Sequence, residues 1–132
     1  MSESRGPLRI LYVEDNDLVR DITHEILSQP SRAVVAVASA EEALKLFQPD
    51  AFDVVVTDVS LPRMSGLDLA RQLLQRAPRV PIIIATGYGL PSECTALGER
   101  TRVITKPFEQ AQIDQLLNEL CPPPDLDLAQ TI

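Results

Sequence analysis

Apolar residues in this chain come in short blocks, each closed by a polar residue or a helix breaker. Leu8 to Val13, Ala33 to Ala38, Phe52 to Thr57, Val80 to Thr86 and Val103 to Thr105 predict five strands. The third block is the most telling, because three β-branched residues and Thr57 lead straight into Asp58. It is too short and too β-branched for a helix and reads as a buried parallel strand. Between the blocks the apolar period changes to that of a helix. Leu18, Val19, Ile22, Ile26 and Leu27 mark the first helix, with Asn16 or Asp17 as its cap and Pro30 as its end. Ser39, with Glu42 three residues on, forms a capping-box pattern for a helix through Phe47. Leu67, Leu69, Ala70, Leu73, Leu74 and Ala77 mark a third helix, stopped by Pro78, and Ile113, Leu116, Leu117 and Leu120 mark the last. Gly87 to Arg100 is the weakest helix candidate, with three glycines, a proline and few apolar residues.

Five strands alternating with five helical segments predict an α/β fold: one doubly wound, five-stranded parallel sheet with right-handed crossovers and helices on both faces. In the flavodoxin-like order 2-1-3-4-5, the switch point lies between strands one and three. That order brings Glu14-Asp15 beside Asp58 at the carboxyl edge, where open α/β sheets place their ligands. Thr86 and Lys106 end the strands beyond.

The 132 residues fit a single domain over 8–121, with a loose polar N-terminus at 1–7 and a disordered Pro-rich tail at 122–132. No apolar run is long enough to span a bilayer, and MSESRGP lacks an apolar signal segment. Cys94 and Cys121 have no metal-ligand spacing and read as reduced thiols, so the expected location is cytoplasmic. A formal charge of −7 argues against direct nucleic-acid binding, which needs clustered Lys and Arg.

Each candidate residue has a plain reading of its own. Asp58 can cap a turn, Lys106 can be a surface lysine, Thr86 an ordinary strand residue, and Glu14-Asp15 a pair drawn to a helix start. Their joint arrival at one sheet edge is what those readings leave unexplained. Three carboxylates packed together raise one another's pKa unless something positive intervenes. Mg²⁺ does so with one or two carboxylates plus water and phosphoryl oxygens. Lys106 adds a fixed positive charge for the same anion, and Thr86 a hydroxyl donor. Together they equip a phosphoryl-transfer site.

With YVEDND at the first strand end, TDVSLPRMSG at the third, ATGY at the fourth and TKPF at the fifth, the chain resembles the receiver domains of two-component response regulators. The resemblance covers almost the whole chain. It implies that Asp58 accepts a phosphoryl group from the phosphohistidine of a histidine kinase or histidine phosphotransfer protein. It also implies Mg²⁺ held by Asp15, Asp58 and the Ser60 backbone carbonyl, with Glu14 acting through water. Thr86, Gly87 and Lys106 contact the phosphoryl oxygens in that scheme, and Lys106-Pro107 is a cis peptide. Many receivers carry Tyr or Phe three residues before the lysine, where this chain has Val103. Tyr88, within ATGY, takes that place and makes Thr86 and Tyr88 the expected switch. ATGY resembles a subset of receivers found both alone and in hybrid kinases. No effector domain is expected beyond it, since the tail after Leu120 is too short to fold alone.

Other readings compete. Asp15 to Val19, DNDLV, also fits the nucleophile motif of haloacid-dehalogenase-like phosphatases, which would use Asp15. That family's late acidic pair is missing, and Asp58 is left without a role. A receiver fragment of a hybrid histidine kinase is a second alternative, and a flavodoxin-like binding module a third. The binding module is disfavoured by loops without a phosphate-cradling pattern. His24 sits mid-helix without a four-helix phosphotransfer pattern and reads as solvated. Lys45 reads as a surface lysine. The expected function is a signalling switch with modest self-phosphorylating and self-dephosphorylating chemistry, not an enzyme in the ordinary sense.

Overall fold

The computed structural model describes residues 7–87 and 100–121. Among these, β1 spans Leu8–Val13, α1 Asp17–Leu27, β2 Arg32–Val37, α2 Ala40–Leu46, β3 Val54–Asp58, α3 Gly66–Arg76, β4 Ile82–Thr86, β5 Thr101–Thr105 and α4 Gln110–Leu120. The expected fourth helical segment and Tyr88 lie outside the described residues, as do Cys94 and the Pro-rich tail. The five strands form one sheet in the order β2-β1-β3-β4-β5, and each neighbouring pair is parallel. The expected fold class and strand order are what the chain adopts.

Alternation along the central strands divides the core between the two faces of the sheet. Leu11, Val13, Val55, Ile82 and Ile84 pack with Ala40 and Ala43 of α2 and with Leu69, Ala70 and Leu73 of α3. Ile10, Tyr12, Val54, Val56, Ile83 and Ala85 face the other way, onto Leu27 of α1 and Ile113, Leu117 and Leu120 of α4. Burying each Val, Leu or Ile side chain among them contributes about 1.5–3 kcal/mol. Every residue of β3 and β4 is buried, so the polar groups ending those strands stand on a rigid floor.

Caps account for most helix starts. Asn16 Oδ1 accepts from the Val19 N–H at 3.0 Å, settling the choice between Asn16 and Asp17. Ser39 caps α2 through the Glu42 N–H, but the Glu42 carboxylate reaches back to the Ala38 N–H, one residue before the cap. Strand limits move by a residue or two from expectation. β3 starts at Val54 and includes Asp58, β2 is Arg32–Val37, and β5 begins already at Thr101.

The apolar stripe expected on α1 is only partly the buried one. Leu18 and Ile22 are 68% and 52% exposed, while Thr23 is buried. Thr23 lies near Tyr12, a buried phenol of β1, and acts to lower that phenol's pKa against the effect of burial. His24 is half-buried rather than fully solvated, with Nδ1 3.3 Å from Ser28 Oγ. Lys45 is exposed as expected.

The turn joining β3 to α3 is tight. Arg63 has a φ of 64°, the left-handed region that Gly occupies without penalty. Gly66 opens α3 directly against the end of β3, its N–H bonded to the Val59 carbonyl at 3.0 Å. A Cβ built on Gly66 would overlap the Asp58 carbonyl oxygen and lie 2.9 Å from its carbon.

Candidate functional site

Four of the five strands deliver a polar residue to the carboxyl edge of the sheet. β1 runs into Glu14 and Asp15, β3 ends in Asp58, β4 in Thr86, and β5 runs into Lys106. The backbone ties these ends together. The Val59 N–H donates to the Ala85 carbonyl at 2.9 Å, and the Lys106 N–H to the Thr86 carbonyl at 2.8 Å. Asp58 and Thr86 are the last residues of their strands, and Glu14, Asp15 and Lys106 follow within two residues of a strand end.

Lys106 Nζ lies 3.1 Å from Glu14 Oε1 and 3.2 Å from Asp58 Oδ2, so one ammonium bridges two carboxylates. The remaining oxygens are also engaged. Asp58 Oδ1 accepts from the Ser60 N–H at 3.3 Å, and Glu14 Oε2 from the Asn16 N–H at 3.2 Å. Asp15 is exposed, and among the described residues its carboxylate makes no hydrogen bond or ion pair. Burial holds the Glu14 carboxyl above its ordinary range. The Asn16 N–H and Lys106 partly offset this, and the nearby Asp58 reinforces it. For Lys106 burial acts to lower the pKa, but the hydrogen bond to Glu14 and the charge of Asp58 outweigh it and leave it raised. Burial also raises the Tyr12 phenol above its usual range.

The structure thus brings together Glu14, Asp15, Asp58 and Lys106, with Ser60 and Thr86 at the same edge. Thr86 is buried, Ser60 and Gly87 are exposed, and no described residue stands within 4 Å of where a Gly87 Cβ would lie. Lys106-Pro107 is cis. Tyr88 lies outside the described residues.

One carboxylate oxygen from each of Glu14, Asp15 and Asp58 falls within 4.8 Å of the others. Opposite ligands of Mg²⁺ stand about 4.2 Å apart, so a hard divalent cation fits this donor set with small side-chain movements. The donors are all oxygen, and one of the three carboxylates is open to the solvent from which a hydrated ion arrives.

The pattern of the sequence did not single out Arg20. Its Nη1 donates to the Glu14 carbonyl at 2.9 Å and its Nη2 to Asp17 Oδ1 at 2.7 Å. An arginine on an amphipathic helix reads as a surface residue, and only the three-residue spacing from Asp17 hinted at a pair.

Comparison with known proteins agrees with this architecture. The family model of the response regulator receiver domain matches residues 10–118. The two-component response regulator PhoP of Pseudomonas aeruginosa is 37% identical over 116 residues, which cover 86% of this chain and 51% of PhoP. The sensor protein TorS of Escherichia coli is 35% identical over 116 residues, covering 83% of this chain and 12% of TorS. The chain therefore spans about half the length of one relative and a small part of the other. Among solved structures, the receiver domain of HemR from Leptospira biflexa superposes with a TM-score of 0.76 at 31% identity, covering 86% of this chain and 93% of that one. A response regulator receiver domain protein from Clostridium thermocellum gives 0.78 at 26% identity, covering 86% and 93%. With its ladder-bonded acidic edge and a family match over most of its length, this chain belongs to the response regulator receiver domain family of two-component systems.

Proposed function

We propose that this chain is a phosphoacceptor switch, taking a phosphoryl group onto Asp58 from the phosphohistidine of a histidine kinase or histidine phosphotransfer protein. The observation that carries the reading is the setting of Asp58, at the end of a buried strand between the acidic turn and an ammonium 3.2 Å away. An Asp58 carboxylate oxygen forms the new P–O bond as the P–N bond to the donor imidazole breaks, and the imidazole leaves with its electron pair. The Ser60 N–H, on Asp58 Oδ1, orients the nucleophile. Lys106 exchanges its carboxylate contacts for phosphoryl oxygens, and Thr86 and Gly87 supply further donors. Asp15, Asp58 and the Ser60 carbonyl would hold Mg²⁺, with Glu14 acting through water, and the ion would supply positive charge against phosphoryl oxygens.

Beside Lys106, a cavity of about 350 Å³ is lined by Val19, Ile22, Ile26, Pro107 and Phe108. With the exposed Leu18 it offers apolar grip to a protein donor. We assign the outward signal to Thr86 and Tyr88, through the link between the Thr86 carbonyl and the Lys106 N–H. Tyr88→Ala is expected to leave Asp58 phosphorylation intact and weaken phosphorylation-dependent partner binding. Self-dephosphorylation at the same site belongs to this reading. Among the described residues no helix is long and apolar enough to cross a membrane.

Acetyl phosphate with Mg²⁺ tests the acceptor. Intact mass should show one added phosphoryl group on the wild type and none on Asp58→Asn. A phosphoryl group mapped to Asp15 instead identifies the phosphatase-like nucleophile, and one on any aspartate other than Asp58 overturns the assignment.

A further inference from the structure

Arg20 grips the acidic turn at both ends. The turn from Glu14 to Asp17 carries two of the three clustered carboxylates, and Arg20 contacts it at three points. Its backbone N–H donates to the Asn16 carbonyl at 2.8 Å, Nη1 to the Glu14 carbonyl and Nη2 to the Asp17 carboxylate. Asp15 stands between the two residues that the guanidinium holds. A planar guanidinium can satisfy two acceptors in fixed directions, which a lysine ammonium on a flexible stem cannot do. The cation also lies in the first turns of α1, the positive end of the helix dipole, where a basic residue is not favoured for the helix's own sake. Its side chain is 21% exposed, so it is packed against the turn and not merely solvated above it.

We propose that Arg20 is a positioning residue for the divalent cation: by holding the Glu14 carbonyl and the Asp17 carboxylate at once, it fixes the β1–α1 turn so that Asp15 joins Asp58 as a ligand. This rests on the metal-dependent reading above. Charge alone gives the opposite expectation. A positive group near a cation site weakens cation binding by repulsion, so its removal as a charge should tighten Mg²⁺ a few-fold. Groups that orient metal ligands have an effect of the other sign, and losing one typically costs about 10–100-fold in affinity. The sign of the change therefore distinguishes a positioning role from a mere neighbouring charge.

The test is Mg²⁺ titration of the full chain, followed by amide NMR shifts at residues 14–17 and 58. Wild type, Arg20→Ala, Arg20→Lys, Asp17→Ala and Asp15→Ala are compared. Arg20→Ala is expected to weaken binding about tenfold or more. Arg20→Lys, with its charge unchanged but its fork lost, should also bind more weakly than wild type. Asp17→Ala removes one anchor of the fork and should also weaken binding, but the loss of a nearby negative charge acts in the same direction, so the Arg20 variants carry the decision. Arg20→Ala binding as tightly as wild type, or more tightly, overturns the proposal. Should Arg20→Ala fail to fold, Arg20→Lys decides, and wild-type affinity in that variant overturns it. If the wild type binds no Mg²⁺, or Asp15→Ala binds it unchanged, the metal reading itself falls and this proposal falls with it.

Discussion

Lys106 and Glu14 meet at 3.1 Å across 92 positions of sequence, one side chain a quarter exposed and the other almost wholly buried. The pair joins the ends of β5 and β1, which are separated in the sheet by β3 and β4. Lys106 thus compensates a carboxylate that burial alone would hold protonated to higher pH.

Lys106→Met should therefore destabilise the fold at neutral pH by about 1–3 kcal/mol, the usual cost of leaving a buried acceptor without its donor. Loss of the ammonium pushes the Glu14 carboxyl further above its ordinary value. A carboxyl with a raised folded pKa favours folding below its unfolded pKa and loses that contribution as pH rises through the folded value. The deficit of the variant relative to wild type should accordingly shrink as pH falls from 7 toward the ordinary glutamate value of 4.5. Urea unfolding at both pH values checks this, and a gap that widens on acidification contradicts it.

Gly66→Ala tests the contact under Asp58. The methyl has no room beside the Asp58 carbonyl, so β3 and α3 must separate. Backbone clashes of this kind cost about 1–3 kcal/mol. The same shift displaces the Asp58 carboxylate from Lys106, so phosphorylation by acetyl phosphate should slow as well as stability fall. A variant with wild-type stability and rate would mean that the turn yields freely.

Arg63 invites a change in the opposite direction. A left-handed residue with a Cβ costs about 1–2 kcal/mol, and the greater unfolded-state freedom of Gly takes back about 0.4–1 kcal/mol. The pair with Glu41, at 3.7 Å and with the Arg63 side chain 74% exposed, contributes little. Arg63→Gly should leave stability unchanged or raise it by up to about 1 kcal/mol, whereas Arg63→Val should lower it. Thermal melts of the two variants provide the comparison.

Tyr12 sets an alkaline limit. Its phenol is held protonated above the ordinary value of 10.0, so from that pH upward the unfolded chain loses a proton that the folded chain keeps. Folding stability should fall with rising pH above about 10, and Tyr12→Phe should remove that part of the slope. In a Tyr88→Phe background, phenolate absorbance should appear together with unfolding. Absorbance that develops while the fold persists would show that the phenol is more accessible than its burial implies.

The sheet was legible because β-branched runs and helical periods are local signals, and the breakers fell where the elements end. The cluster at the sheet edge was legible because Asp58 and Thr86 end their strands and Glu14 and Lys106 directly follow theirs, so strand order brings them together. The periods did not show which side of α1 is inward. Leu18 and Ile22 fit the apolar stripe, yet they are exposed while Thr23, near the Tyr12 phenol, takes a buried position. Arg20 was missed for a related reason. Its role lies in contacts to a backbone carbonyl and a neighbouring carboxylate, and a side chain's choice between solvent and such a carbonyl leaves no periodic trace. The bridge from Lys106 to both carboxylates likewise depends on strand pairing, not on any spacing along the chain.

Val54 to Thr57 of β3 are wholly buried, and Asp58, the last residue of the strand, has a side chain only 10% exposed. Its carboxylate is recessed below the rim on which Asp15 stands. On the proposed reading of Asp58 as phosphoacceptor, a donor would come end-on, along the axis of the strand, with its phosphorus clear of the body that carries it. A small acyl phosphate meets that demand, as does a phosphoimidazole at the tip of a side chain. A phosphate lying flush with a broad protein surface does not. On that reading the depth of one strand end would select among donors by shape, before any contact particular to a partner is made.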